Sequence, residues 1–259
     1  MRLLSCFITL AALLCVALQL PASAAELRVL SAGAIEPGLR PALAGFVAAS
    51  GHTIQLGFAT APQIRERAKP GAGEFDVVIA PPGVLDELET AAKIDADRTQ
   101  RVGVGRVGIG VAVRPGAAAP DISTVEAFRR AMVDAQSLVF NRASTGLYVE
   151  TLLRRLNVDV QGRVTRYPDG ASVMTHVLRG EGGREIGLGA VTEILLVRDK
   201  GLQFVGPLPA ELQNYTSYVA AAAPGRPADV AEAARALLRH LASAPVQAGF
   251  AAAGIEPLR

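Results

Sequence analysis

The sequence predicts an α/β protein made of two similarly wound halves with a cleft between them. Three observations predict it. Short apolar runs alternate with amphipathic helical stretches from Leu27 to Ala92, and the same alternation returns from Arg106 to Leu188. The chain then ends in an apolar-periodic helical stretch that needs a sheet to cover.

In the first half, Leu27 to Leu30 reads as a strand, followed by the small-residue turn Ser31, Ala32, Gly33, Ala34. A helix with Leu39, Leu43, Phe46 and Val47 on one face follows and stops at Gly51. Thr53 to Phe58 is a second strand. The next small turn runs from Ala59 through Thr60, Ala61 and Pro62 to Gln63, with Pro62 suited to the first position of a helical segment reaching Ala68. Phe75 to Ala80 is a third strand, with Asp76 bonding backbone at its end, and Gly83 to Ala92 is a third helix. The β-α-β-α-β order implies a parallel sheet with helices on its faces. Ligands of such sheets gather at the carboxyl ends of the strands, where both small turns fall.

Arg106 to Val113 is a longer strand, bounded by Pro115 and Gly116, and the glycines around it read as a hinge strand rather than a phosphate loop because no helix opens after them. Ser123 to Glu126 is a capping box that opens a helix with Ala127, Phe128, Met132 and Val133 inward. The stretch from Ser137 to Leu156 organises the second half. Leu138, Val139 and Phe140 form a strand, Asn141 to Thr145 are polar or small, and Gly146 opens a pattern of Leu147, Val149, Leu152, Leu153 and Leu156, with Ser144 or Thr145 as N-cap.

A helix start of this kind presents unpaired N–H groups and a partial positive charge, so it can hold an anion. Gly146 allows close approach, and Arg142 would add a full charge in a geometry that matches a carboxylate. The plainer alternatives are a capped strand-to-helix turn and a surface Arg beside a strand end.

Arg163 to Tyr167, the turn Pro168 to Ser172, a helix from Val173 to Arg179 and a strand from Ile186 to Leu188 complete the second unit. Gln203 to Val205 and Tyr215 to Ala221 are further strands. Ala228 to Ala242 and Ala244 to Ala253 form the helical tail, with Leu237, Leu238 and Leu241 at core spacing. The simplest arrangement returns the tail to the first half. One lobe then comprises residues 25–107 plus 213–259 and the other residues 108–212.

Arg2, the apolar run Leu3 to Leu20, Pro21 and the small residues Ala22, Ser23 and Ala24 read as an export signal at residues 1–24, cleaved after Ala24, which places the mature chain in the periplasm. Both cysteines, Cys6 and Cys15, lie inside that segment, so the mature chain holds no disulfide or cysteine metal site. A net charge of +2 with no basic tract gives no sign of nucleic-acid binding. The absence of Trp and an aromatic content of 5% argue against a sugar cleft.

An exported hydrolase is the rival class, but it needs a nucleophile with a base or a liganded metal. His52 precedes a strand, His240 sits among Leu237, Leu238 and Leu241 as a structural residue, His176 has no Asp or Glu at metal-ligand spacing, and Ser144 sits in no Gly-x-Ser-x-Gly elbow. The expectation is therefore a binding protein, not an enzyme, without cofactor or metal.

The order of an export signal, LRVLSAGAI, QLGFATAPQI, EFDVVIAPP, RVGIGVAV, VFNRASTGLY and a helical tail resembles the periplasmic molybdate-type substrate-binding proteins of ABC transporters over Ala25 to Glu256. The resemblance implies a two-lobed periplasmic-binding fold of type II, each lobe a mixed, mostly parallel sheet flanked by helices, with an anion gripped between helix starts. It also implies a monomer that delivers its ligand to an ABC permease in the inner membrane, with a sensor receptor as the alternative partner.

Carried onto this chain, the family's two hydroxyl positions fall on Ala34 and Ala61, its amide positions near Thr145 and Gly170, and its Tyr position near Ala190. The polar groups that would satisfy a tetrahedral oxyanion are thus replaced by alanines, and each unsatisfied oxygen costs roughly 1–3 kcal/mol. A small anion is the expected guest, an organic carboxylate in preference to an oxyanion. The candidate ligand-binding residues are Ser31, Gly33, Ala34, Thr60, Ala61 and Gln63 in one lobe. In the other they are Asn141, Arg142, Ser144, Thr145, Gly146, Gly170, Ser172, Ala190 and Thr192.

Overall fold

A computed structural model describes residues 24–71, 74–180 and 183–258; the segment read as an export signal lies, except for Ala24, outside the described residues. Nine strands among the described residues form one mixed sheet that divides at its middle strand. β1 (Glu26–Ala32) lies parallel between β2 (Thr53–Ala59) and β3 (Val77–Ala80), and β9 (Tyr215–Ala222) runs antiparallel beside β3. On the far side, β5 (Ser137–Asn141) lies parallel between β6 (Val164–Tyr167) and β7 (Glu185–Ala190). The strand common to both is β4 (Val102–Val113). Its Val102–Gly108 portion pairs with β9, and its Ile109–Val113 portion pairs with β7 and with β8 (Gln203–Pro207), all antiparallel.

Each half-sheet is covered by the helices that its own strands feed. Leu27, Val29 and Ile79 pack with Leu39 and Phe46 of α1 (Glu36–Ser50) and with Leu237 and Leu241 of α8 (Ala228–Leu241). In the other half, Val111, Phe140 and Leu188 pack with Phe128 of α4 (Val125–Asp134) and Leu152 of α5 (Ser144–Arg155), while Val139 packs with Val173 and Val177 of α6 (Gly170–Leu178) on the opposite face. All four residues of β3 are buried, as expected of a strand covered on both sides.

The remaining helices are α2 (Ala61–Arg65), α3 (Pro82–Thr90), α7 (Val191–Leu195) and α9 (Ala244–Ala252). Three boundaries differ from the sequence reading for identifiable reasons. β4 begins at Val102 rather than Arg106 because the glycine run pairs with β9 through a bulge. There Gly105, at φ +151°, leaves room for the chain terminus: an added Cβ would lie 2.5 Å from Ile255. Glu256 exchanges both backbone hydrogen bonds with Arg106 beside it. α5 and α6 begin two and three residues earlier than the apolar pattern indicates, since their first turns are polar or small. α7 was absent from that reading altogether, being too short to show a period.

Asp76 caps the first half-sheet at the end away from the helix starts. Its Oδ2 accepts from the backbone N–H of Arg28 at 2.8 Å and from Arg28 Nε at 3.1 Å, while Arg28 Nη2 and Arg226 Nε lie 2.9 and 3.0 Å from Oδ1. Burial alone would raise this carboxyl, but the Arg28 hydrogen bonds and the charges of Arg28 and Arg226 outweigh it and hold the group below the usual carboxylate range. A depressed folded value means that the stabilisation is complete above the unfolded value, about 3.9, and is lost as pH falls through the folded one. Asp76→Ala should cost about 2–3 kcal/mol in urea melts at pH 7, less than the loss of a fully buried pair because Arg28 can be resolvated. The deficit relative to wild type should shrink as the melts are repeated towards pH 2; a deficit independent of pH would contradict this account.

Candidate functional site

A cavity of about 550 Å³ opens where the two half-sheets meet, walled by the turns that follow β1, β2, β5, β6 and β7. The wall from the first half includes Gly33, Ala34, Thr60, Ala61 and Gln63. The wall from the second includes Asn141, Ser144, Thr145, Gly170 and Ser172. These ten sequence candidates are brought together; the other five are not.

Ser31 is interior to β1, and its hydroxyl donates to the Ala32 carbonyl at 3.1 Å. The Thr192 hydroxyl donates to the Ala34 carbonyl, a buried bond between the two halves. Ala190 is buried at the end of β7 and serves as N-cap of α7. Arg142 does not line the cavity. Its N–H donates to the Tyr167 carbonyl at 2.8 Å, which extends the β5–β6 ladder, and its side chain is exposed; alternation along an extended chain sends neighbouring side chains to opposite sides, and here Asn141 takes the inner one.

Gly146 lies behind the wall. An added Cβ would fall 1.7 Å from the Asn141 carbonyl oxygen, so the glycine permits packing against β5 rather than approach of a ligand.

The N-cap of α5 is also corrected. Ala143 occupies the cap position, and no Ser or Thr hydroxyl caps the helix. Asn141 does so from β5: its Oδ1 accepts from the N–H groups of Ala143 and Gly146, both at 3.0 Å. The N–H groups of Ser144 and Thr145 keep no acceptor among the described residues and face the cavity. In α6, Asp169 caps Ser172 N–H at 2.8 Å, which leaves the Gly170 and Ala171 amides without acceptors among the described residues. Thr60 and Gln63 are tied to each other, Gln63 Oε1 accepting from the Thr60 N–H at 2.8 Å and from its hydroxyl at 3.0 Å.

Two residues that sequence reasoning missed stand in the same wall, Glu193 of α7 and Tyr218 of β9. Oε2 of Glu193 is shielded from solvent and has no hydrogen-bond partner. It rests against the start of α6, where an added Cβ on Gly170 would lie only 1.8 Å away. Burial pushes this carboxyl up to about 7; the Ala190 amide pulls the other way, and Asp169 and Glu36 push it further up. Burial, then the Glu193 carboxyl, push the Tyr218 phenol up, so it remains a neutral hydroxyl. The available signal for Glu193 was its place as a single acid in the otherwise uncharged stretch Ala190 to Val197 directly after a strand. Among the described residues, no group of three or more His, Cys, Asp or Glu is arranged to hold a metal ion.

This arrangement, helix starts from two half-sheets facing a shared cavity at the carboxyl ends of the strands, defines a solute-binding architecture. Residues 27–256 match the family of bacterial extracellular solute-binding proteins, and the chain belongs to it. It is 30% identical over 241 residues to an aconitate isomerase of a Pseudomonas species, covering 90% of this chain and 88% of that one. Among solved structures it is similar to the periplasmic molybdate-binding protein of Azotobacter vinelandii, with TM-score 0.73, 14% identity and coverage of 90% of this chain and 100% of that one. It is also similar to the sulfate-binding protein SubI of Mycobacterium tuberculosis, with TM-score 0.70, 18% identity and coverage of 90% and 87% respectively. The fold of these neighbours is the two-lobed periplasmic-binding type that the sequence resemblance implies, and both neighbours are binding proteins.

The packing role given to Gly146 is open to direct measurement. Gly146→Ala should destabilise by about 1–3 kcal/mol, because the methyl group meets backbone that cannot swing aside. Gly249→Ala, in α9 with nothing within 4 Å of the added Cβ, should instead stabilise by about 0.5–1 kcal/mol. Urea melts of the two variants that gave the same sign would refute the distinction.

Proposed function

We propose that this chain binds a small organic polycarboxylate in the cleft between its halves. The observation that carries the reading is the pair of helix starts, α5 and α6, that turn unpaired amides into a cavity of about 550 Å³. Backbone amides at helix starts bind carboxylates well, and a cavity of this size suits a small organic ligand. Alanines at 34 and 61 stand in the wall where the resembled oxyanion-binding family carries hydroxyls.

The lobes are taken as residues 25–107 plus 213–259 and residues 108–212, with closure about β4 engaging both walls at once. The mature chain works in the periplasm after export and cleavage following Ala24, as a monomer. The loaded form is presented to an ABC permease in the inner membrane, or to a sensor receptor that reads the same closure.

A second reading is favoured by one observation, the 30% identity to an aconitate isomerase across nearly the whole chain. Aconitate is an unsaturated tricarboxylate, so the two readings share a site and a ligand class. They differ in whether the ligand leaves unchanged, and so in whether the expectation of a non-enzyme stands.

Titration calorimetry with trans-aconitate, citrate and the saturated tricarballylate, against molybdate and sulfate, tests the binding reading. At least one tricarboxylate should bind more tightly than either oxyanion, and a hundredfold excess over Kd should add about 2.7 kcal/mol of stability. Ser144→Pro removes one cleft amide at the first helical position, where Pro is well tolerated, and should weaken binding about tenfold. If no carboxylate binds, or molybdate binds best, the reading fails.

A further inference from the structure

Resting on the reading that the cleft holds a small unsaturated polycarboxylate, we propose that Glu193 is a catalytic residue that moves a proton between two carbons of the ligand, so that the cleft interconverts double-bond isomers. A carboxyl group in a cavity built from helix starts is out of place in a simple anion receptor, because a like charge opposes the guest. The other two acids in the wall are engaged elsewhere. Glu36 accepts from Arg40 Nε at 2.6 Å, and Asp169 caps α6. Glu193 Oε2 alone among the described carboxyl oxygens is buried without a partner.

The surrounding glycines let backbone rather than side chains pack around the carboxyl. Added Cβ atoms at Gly33, Gly170 and Gly189 would lie 3.9, 1.8 and 3.9 Å from its oxygens, so these positions in the turn after β1, at the start of α6 and in β7 bring no side chain against it. A value near 7 means that both the acid and its conjugate base are populated at neutral pH, which suits a group that must take and return a proton. The charged and titratable groups facing it are Asp169 at the start of α6, Glu36 of α1, Tyr218 of β9 and Lys200 beyond α7.

The step balances within the ligand. Glu193 as carboxylate removes a proton from the methylene carbon that lies between a carboxylate group and the double bond. The C–H electron pair enters the allylic system and the double bond moves by one carbon. The negative charge spreads onto ligand carboxylates facing the amides of Ser144, Thr145, Gly170 and Ala171. Glu193 returns the proton to the far carbon and is restored as carboxylate. One C–H bond breaks and one forms, the geometry of the new double bond is set afresh, and no oxidant or co-reactant is consumed.

The test uses the exported chain, trans-aconitate as the reacting probe and tricarballylate as the inert one. Proton NMR in D2O reads deuterium uptake and appearance of the cis isomer, while calorimetry reads binding. Wild type should exchange and isomerise, with a rate that rises through a midpoint near 7. Glu193→Gln should bind tricarballylate within about threefold of wild type and lose isomerisation by about a hundredfold or more. Glu193→Asp should bind equally and recover part of the rate, and Arg142→Ala, off the cavity, should match wild type.

Isomerisation that survives in Glu193→Gln to within tenfold overturns the role of Glu193. Tricarboxylate binding by wild type without exchange or isomerisation overturns the proton transfer and leaves the binding reading intact. Absence of binding by wild type removes both.

Discussion

The sharing of one strand between two half-sheets is the constraint on which the rest of the structure depends. β4 must satisfy its backbone groups against β9 over its first portion and against β7 and β8 over its second. The register settles where everything else points. β4 runs in the same sense as β1 and β3, and its Ile109 stands opposite Ala190, the last residue of β7, at the crossing. The carboxyl ends of the parallel strands in both halves are therefore directed at the crossing, and the helices that follow them begin there. The cleft is a consequence of strand direction rather than of any one loop.

Converging helix starts create a positive potential from partial charges alone, and that potential organises the acids around it. Asp169 responds by capping α6, in the ordinary way of an acid at a helix start. Glu36 leans away to Arg40. Glu193 has neither outlet, because α7 sits at the floor, held by the Thr192 hydroxyl to the Ala34 carbonyl across the halves. The polar field and the buried acid thus meet at one place, with unpaired amides of α5 and α6 and a carboxyl pushed up to about 7 lining the same cavity. The opposite end of the first half-sheet shows the contrasting solution, where Asp76 stays ionised because two guanidiniums reach it.

Most strands and the longer helices were legible because burial imposes a period on them. Leu39, Leu43 and Phe46 recur at helical spacing, and β3 is apolar throughout since both of its faces are covered. The small turns were legible as well, since helix starts that line a cavity exclude bulk. Of the site, ten of fifteen candidates line the cavity, and three of the five others share a cause. Arg142, Ser31 and Gly146 carry the right chemistry at the right place along the chain but the wrong side of it, and one step of strand alternation or one packed carbonyl decides the side.

Glu193 and Tyr218 show the converse. α7 is five residues long and has no readable period, and Tyr218 lies on a strand that returns late in the chain to pair with β3 and β4. By itself the sequence determined the α/β class, the repeated plan, the order of elements and the small-residue turns, since these follow from local patterns of size and polarity. Only the tertiary structure decided which side chains share the cavity, that Asn141 rather than Ser144 satisfies the α5 start, and that Oε2 of Glu193 is buried without a partner. Those outcomes depend on distances between residues far apart in the chain, and burial and charge coupling exist only once those distances are set.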